Sequence, residues 1–325
     1  MKAERFHVVL IQNHKEIIME NNIRVTGIKT ALVSCVDDNG KVYENDMRKL
    51  MEWNCAAGMN GFYINGGTGQ GPAYLKEVRM EIAEIAVDEA KKLGDCQIIN
   101  HVGAIDLKTA AELAEHAAKI GCDAISSVPP FFFGYGEKEI CQYYKTLADA
   151  SGLPVLMYAS PLSGVEITPK MVEHFMQEIP NLIGLKWTNP NYYTMSHIKQ
   201  LNGGNINVIN GPDETLLLGL IMGADGGIGG TYNCMPVLFR KIYDYYKAGE
   251  LEKAREVQFK ANKMIDLLLS FGGSCIATVK EALRYIGYET GYTVYPGKRL
   301  TDDEKEKFIA GLKAIHYEEE YLGTL

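Results

Sequence analysis

Long hydrophobic runs are missing from this 325-residue chain. Its more extended apolar stretches, such as Thr215–Gly223, reach about half a membrane span, so no transmembrane helix and no membrane partner are expected. The N-terminus offers only the short run Val8–Ile11 before His14 and Lys15, too little for the core of a secretory leader. A cytoplasmic protein is therefore expected. An excess of positive charge is missing too: 33 Lys and Arg face 41 Asp and Glu, for a net charge of −8. With no basic stripe, a nucleic-acid partner is not expected. Cysteine is scattered. The seven, Cys35, Cys55, Cys96, Cys122, Cys141, Cys234 and Cys275, form no CxxC pair and read as reduced, mostly buried thiols. None of the seven histidines forms HxH or HExxH, so no metal site is expected. Low-complexity tracts and Ser/Pro/Gly linkers are absent as well. What remains is ordinary globular material, 46% hydrophobic and 23% charged, enough for a sizeable core.

From about residue 27 the chain alternates in kind. Eight short apolar runs stand out: Ile28–Val33, Gly61–Ile64, Gln97–Val102, Ala124–Val128, Pro154–Tyr158, Leu182–Lys186, Asn207–Asn210 and Gly226–Gly229. They are apolar on both faces, as strands of a fully covered parallel sheet should be. Helical patterns fill the gaps, for example LKEVRMEIAEIAVDEAKKL over Leu75–Leu93 and KTAAELAEHAAKI over Lys108–Ile120. Further helices are expected over Asp46–Gly58, Glu137–Ala150, Tyr193–Leu201, Glu214–Met222 and Pro236–Ala248. Thr168 caps another, with Pro169 at its first position. Eight such units predict an α/β fold, the (β/α)8 TIM barrel, over residues 27–249. Residues 1–26 read as an N-terminal extension. Residues 250–325 read as a C-terminal helical layer packed on the barrel, with helices over Glu250–Phe271, Ser274–Ile286 and Thr301–Ala314.

In such barrels the chemistry sits at the C-terminal ends of the strands. Lys186 closes the sixth run, and a lysine there points into or beside the barrel mouth. Desolvation disfavours its ammonium form, and a neutral amine can form a Schiff base with a ketone. The plain alternative is a lysine that snorkels to solvent or pairs with Asp213 or Glu214. Tyr158 ends the preceding run, one strand spacing of about 4.8 Å away. Its phenol can move a proton on a substrate oxygen, or simply pack. Gly66-Gly67-Thr68-Gly69 follows the second run, but Pro72 breaks the dinucleotide pattern. Its backbone N–H groups form either an anion-binding nest, with the Thr68 hydroxyl as an added donor for a carboxylate, or a tight turn. Asp213-Glu214 either charge a helix N-terminus favourably or accept hydrogen bonds from sugar hydroxyls. Phe131-Phe132-Phe133, after a Pro-Pro pair, reads as packing or a subunit contact.

Several of these segments occur together in one family. Gly-Gly-Thr-Gly, Tyr158 in Tyr-x-x-Pro-x-x-Gly, Gly-Leu-Lys186-x-Thr, and Gly-x-Asp-Glu followed by Gly-Ala-Asp-Gly-Gly-Ile-Gly-Gly-Thr-Tyr resemble the N-acetylneuraminate lyase/dihydrodipicolinate synthase family of class I aldolases. The likeness covers about residues 27–290 and is strongest to the sialic acid lyase branch. It implies homotetramers of barrels and a Schiff base between Lys186 and pyruvate. It further implies proton transfer by Tyr158 and a carboxylate held at Gly67 and Thr68. Thr188, Gly211, Asp213, Glu214, Gly229 and Gly230 would bind the sugar chain. No metal or dissociable cofactor is implied, since the covalent imine at Lys186 is the electrophile. The expected activity is cleavage of a 2-keto-3-deoxy sugar acid, foremost N-acetylneuraminate, to pyruvate and an aldehyde. The alternatives are an aldolase or dehydratase for another such acid, or a dihydrodipicolinate synthase-like protein that binds keto acids without turnover. Five departures from the family pattern bear on this. The Arg of the synthase branch is missing after Tyr158, where Ala159-Ser160-Pro161-Leu162 stands. Gly67 and Gln70 replace a hydroxyl residue and a Glu, Phe132 stands where a relay Tyr is usual, and Gly230 where Ser is usual.

Overall fold

The computed structural model describes residues 24–323. Eight parallel strands close into a barrel in sequence order: β1 (Gly27–Ala31), β2 (Gly61–Ile64), β3 (Gln97–His101), β4 (Ala124–Ser127), β5 (Val155–Ala159), β6 (Leu182–Trp187), β7 (Asn207–Asn210) and β8 (Gly226–Gly229). Closure is made by β8 against β1, with Gly27 opposite Gly226 and Thr30 opposite Gly229. The helices between the strands are α1 (Glu44–Ala56), α2 (Lys76–Leu93), α3 (Leu107–Ile120), α4 (Glu137–Ser151), α5 (Pro169–Glu178), α6 (Tyr192–Lys199), α7 (Leu216–Ile221) and α8 (Pro236–Lys247). The eight apolar runs of the sequence thus coincide with the eight strands. The C-terminal part adds α9 (Leu251–Leu269), α10 (Ile276–Tyr285) and α11 (Asp302–Ala314).

Period-two alternation divides the strand side chains between two cores. The larger core lies between strands and helices and includes Ile28, Phe62, Ile64, Ile98, Ile125 and Leu185. The smaller fills the barrel with Ala31, Tyr63, Ile99, Ala124, Leu156, Ile209 and Ile228. Val25 belongs to this inner set; its N–H donates to Asn207 Oδ1 and its carbonyl accepts from Asn207 Nδ2 (3.1 and 3.2 Å). It closes the floor of the barrel from just outside the first strand. Of the segment read as an extension, residues 1–23 lie outside the described residues. Lys29 also lies on that floor, with Nζ donating to the Thr26 carbonyl (2.6 Å) and Asn60 Oδ1 (3.2 Å).

Local chemistry explains the helix ends. Asp106 and Thr168 accept N–H bonds from Thr109 and Met171 and cap α3 and α5. Thr301 and Glu304 form a reciprocal capping box on α11. Gly121 and Gly152, in the left-handed region, stop α3 and α4. No helix among the described residues is long and apolar enough to cross a membrane.

Candidate active site

Tyr158 and Lys186 are direct partners in the β5–β6 register. Both therefore face the barrel interior at its C-terminal end. Lys186 is buried, and its Nζ stands 4.3 Å from the centre of the Tyr158 ring and 4.7 Å from that of Tyr63. Three lysines are buried among the described residues: Lys29, Lys186 and Lys280. Lys29 is bonded on the barrel floor as above. Lys280 donates to the carbonyls of Ser34, Thr290 and Tyr292 (2.8, 3.0 and 2.9 Å). Burial pulls both of those amines down to about 8. Lys186 has neither an ion pair nor a hydrogen bond to any described residue. Among the buried lysines of the described residues, Lys186 is thus the one at the mouth of the barrel, in contact with aromatic rings and without an ion pair or hydrogen bond.

An aromatic wall surrounds it. Tyr63 meets Tyr158 edge-on at 6.0 Å, and His101 meets Tyr158 edge-on at 6.2 Å. Tyr63 donates to Ser126 Oγ (3.0 Å), and burial raises its phenol well above the usual range. His101 Nε2 accepts the Val128 N–H at 3.3 Å. Burial, with the cations of Arg79 and Lys186 adding to it, pulls His101 down to about 3. It is a neutral imidazole at physiological pH and holds shape rather than charge.

The loop after β2 is set by Asn65, which takes a left-handed conformation (φ 57°). Its Nδ2 donates to Asn100 Oδ1 and to the Arg79 carbonyl (both 3.0 Å). Arg79 is buried and donates to the Gly103 and His101 carbonyls (3.0 and 2.8 Å). Burial lowers its guanidinium to about 10. Ser34 Oγ donates to the Gly69 carbonyl at 2.6 Å, and a Cβ on Gly69 would meet the Leu32 carbonyl oxygen at 2.9 Å. Gly67 is exposed with open space around the position of a Cβ, and Thr68 faces Gly230, whose Cβ would stand 2.7 Å from the Thr68 Oγ1.

The acidic turn after β7 is held from several directions. Asp213 is buried; its Oδ2 accepts from Thr231 N and Oγ1, both at 2.7 Å, while Oδ1 has no partner among the described residues. Burial raises its carboxyl to about 6. Oδ1 occupies the space a Cβ on Gly229 would need. Gln258 on α9 donates to the Asp213 carbonyl (3.0 Å) and accepts from Leu217 N–H (3.1 Å). Asn262 on the same helix donates to the Glu214 carbonyl at 3.1 Å. Glu214 itself is exposed. A Cβ on Gly211 would stand 1.9 Å from Thr188 Oγ1, and that hydroxyl is buried without a partner among the described residues.

The structure thus pairs Tyr158 with Lys186, Thr68 with Gly230, Thr188 with Gly211 and Asp213 with Gly229. Phe132 stands apart, 83% exposed, at a left-handed position (φ 83°) in the loop after β4. No group of three or more His, Cys, Asp or Glu among the described residues is arranged to hold a metal ion. The sequence reading passed over Tyr63, Arg79 and Gln258. Tyr63 is hidden in a uniformly apolar run, GFYI. Arg79 carried a usable signal, lying three residues before Ile82 and seven before Ala86 on the buried stripe of α2.

The Dihydrodipicolinate synthetase family matches residues 24–315. The chain belongs to that family. It is similar to the N-acetylneuraminate lyase of Escherichia coli, 34% identical over 299 residues, which span 91% of this chain and 97% of that protein. The N-acetylneuraminate lyase of Citrobacter koseri is 33% identical over 291 residues, 89% of this chain and 95% of that one. Among solved structures, a catalytic lysine mutant of the Ruminococcus gnavus sialic acid aldolase superposes with a TM-score of 0.87 at 30% identity. The match covers 93% of this chain and 99% of that one. A Clostridium difficile protein solved in complex with mannosamine superposes with a TM-score of 0.84 at 31% identity, covering 90% and 99% of the two chains. The two solved structures share the fold of this chain, in which Lys186 stands at the mouth end of the sixth strand.

Proposed function

We propose that the protein is a Schiff-base-forming aldolase that cleaves a 2-keto-3-deoxy sugar acid to pyruvate and an aldehyde. The favoured substrate is N-acetylneuraminate, giving N-acetylmannosamine and pyruvate. The observation that carries this reading is the Lys186 amine: buried, unpaired and facing the Tyr158 ring at 4.3 Å. The similarity to N-acetylneuraminate lyases over most of the chain directs it to sialic acid.

In this mechanism Lys186 attacks the C2 carbonyl of the open-chain acid and water leaves, forming a protonated imine. The imine is the electron sink, so no metal or dissociable cofactor is required. Tyr158 gives its phenol proton to the departing C2 oxygen as that water forms and, now a phenolate, accepts the C4 hydroxyl proton. The C3–C4 bond breaks, releasing the aldehyde and leaving an enamine. Protonation at C3 and hydrolysis then return the amine and free pyruvate. The backbone of the Gly67–Thr68 turn and the Thr68 hydroxyl receive the carboxylate. Thr188, Gly211, Asp213, Glu214, Gly229 and Gly230 line the sugar side, where Asp213 Oδ1 has a free lone pair. The reading includes a cytoplasmic homotetramer. Apolar side chains left exposed beside the mouth support the assembly: Leu75 before α2, Ile105 and Leu107 at the start of α3, and Phe132 and Phe133 after β4.

Borohydride reduction in the presence of pyruvate tests the chemistry. Wild-type protein should gain about 72 Da on Lys186, the mass of a reduced pyruvate imine. Lys186→Ala should gain nothing and release no pyruvate from sialic acid. Adducts on Lys29 or Lys280 would reject the assigned nucleophile. Release of pyruvate from shorter 2-keto-3-deoxy acids but not from sialic acid would keep the chemistry and change the substrate.

A further inference from the structure

Far from the barrel mouth, at the N-terminal ends of the strands, two thiols meet. Cys55 lies in the last turn of α1, and Cys96 immediately precedes β3. Their sulfurs are 3.7 Å apart across 41 residues of sequence, and both are free thiols. No other two cysteines share a hydrogen bond among the described residues. Cys55 is half-buried and Cys96 is 9% exposed, so a small oxidant reaches Cys55 first.

We propose that Cys55 and Cys96 form a modification site that takes a hydroperoxide and closes an internal disulfide. The Cys55 thiolate attacks one peroxide oxygen, and the O–O bond breaks. The departing oxygen takes up a proton and leaves as an alcohol, or as water when the oxidant is hydrogen peroxide. Cys55 is then a sulfenic acid. The Cys96 sulfur attacks the Cys55 sulfur, the S–S bond forms and the S–O bond breaks. The hydroxyl leaves as water with the remaining thiol proton. In sum, two thiols and one hydroperoxide give one disulfide, one water and one alcohol or second water.

Two features favour this pair over the other five cysteines. The hydrogen bond shared with Cys96 holds the Cys55 thiol below its ordinary value. Burial instead pushes Cys35, Cys122 and Cys275 up to about 12, and raises Cys141 and Cys234 as well. Moreover, the sulfurs need only close from 3.7 Å to the ~2.05 Å of a disulfide. One partner sits at a helix end and the other beside the turn at Gly94, so a small approach suffices.

Reduced full-length protein, treated with a small excess of hydrogen peroxide, quenched, denatured and alkylated with iodoacetamide, tests the assignment. Five of the seven cysteines should alkylate, and the unalkylated mass should fall by about 2 Da. Peptide mapping should show the segments around Cys55 and Cys96 joined. Peroxide in the presence of dimedone should label Cys55 in Cys96→Ala, and Cys55→Ser should keep all its remaining thiols alkylatable. Seven alkylations after peroxide, or a link that uses any other cysteine, would overturn the proposal. Should Cys96→Ala fail to fold, the peptide map of the wild-type chain decides alone.

Discussion

Lys186 shares its end of the barrel with aromatic faces rather than with carboxylates. Asp213, the buried acid of the pocket, is committed to Thr231 through two 2.7 Å bonds. The lack of an ion pair at Lys186 among the described residues matters for chemistry, because an amine locked in an ion pair is a poor nucleophile. Asp213 pays for its position in another way. Burial raises its carboxyl from 3.8 to about 6, so the folded chain holds that proton more tightly than the unfolded chain does. The resulting stabilisation is complete below pH 3.8 and is lost as pH rises through 6. Asp213→Asn, which keeps an acceptor for Thr231, removes this dependence. Its stability should fall less than that of wild type between about pH 4 and about pH 6.5, by roughly 2 kcal/mol, and its melting temperature accordingly. Thermal denaturation across that range measures it; parallel curves would reject the assignment. Lys186, Tyr158, Thr68 and Asp213 were legible as residues because strand ends are where such barrels display polar groups. Tyr63 was not, since nothing in a four-residue apolar run says which alternate positions face inward. Gly230 reads as a departure from the family pattern and Gly229 as part of it, and the structure gives each a steric reason, in Thr68 Oγ1 and Asp213 Oδ1 respectively.

At the scale of elements, the strands follow the sequence reading to within a few residues, because each is a short apolar run bounded by polar or glycine residues. The first strand is an instructive exception. Its apolar run continues to Val33, but the ladder ends at Ala31 because the Val33 N–H is taken by the side chain of Asn233, 200 residues away. No local signal carries such a partner. The helix expected over Glu214–Met222 begins instead at Leu216, after a tight turn over Asp213–Thr215. That turn is fixed by Gln258 and Asn262, again from far along the chain. Helix α9 is thus part of the pocket's support. Gln258→Leu strips the Asp213 carbonyl and the Leu217 N–H of their buried partners and should destabilise the fold by about 1–3 kcal/mol. Its sharper effect should be on the Michaelis constant for the sugar acid, raised several-fold while pyruvate trapping at Lys186 persists. Steady-state kinetics beside borohydride trapping separates the two; equal losses of both would mean that the helix supports the whole mouth rather than the acidic turn.

The whole molecule leaves a row of apolar side chains uncovered on one side of its mouth, in the segments that follow β2, β3 and β4. Phe132 and Phe133 stack edge to face at 5.0 Å on an otherwise open loop. Exposed aromatic pairs of this kind mark contact surfaces more often than solvent-facing loops. Sedimentation should return the mass of four chains, and Phe132→Asp should shift the protein to smaller species without loss of helical signal. A monomeric wild type would remove the tetramer from the reading. Another consequence follows from the long-range ties to α9. A polypeptide halted at Glu250 already contains Tyr158, Lys186, Asp213 and Gly230, yet Gln258 and Asn262, the clasp on its acidic turn, have not been made. Competence toward the sugar therefore arrives late in synthesis, and a chain that lacks everything after Glu250 would be without it while keeping every one of those pocket side chains.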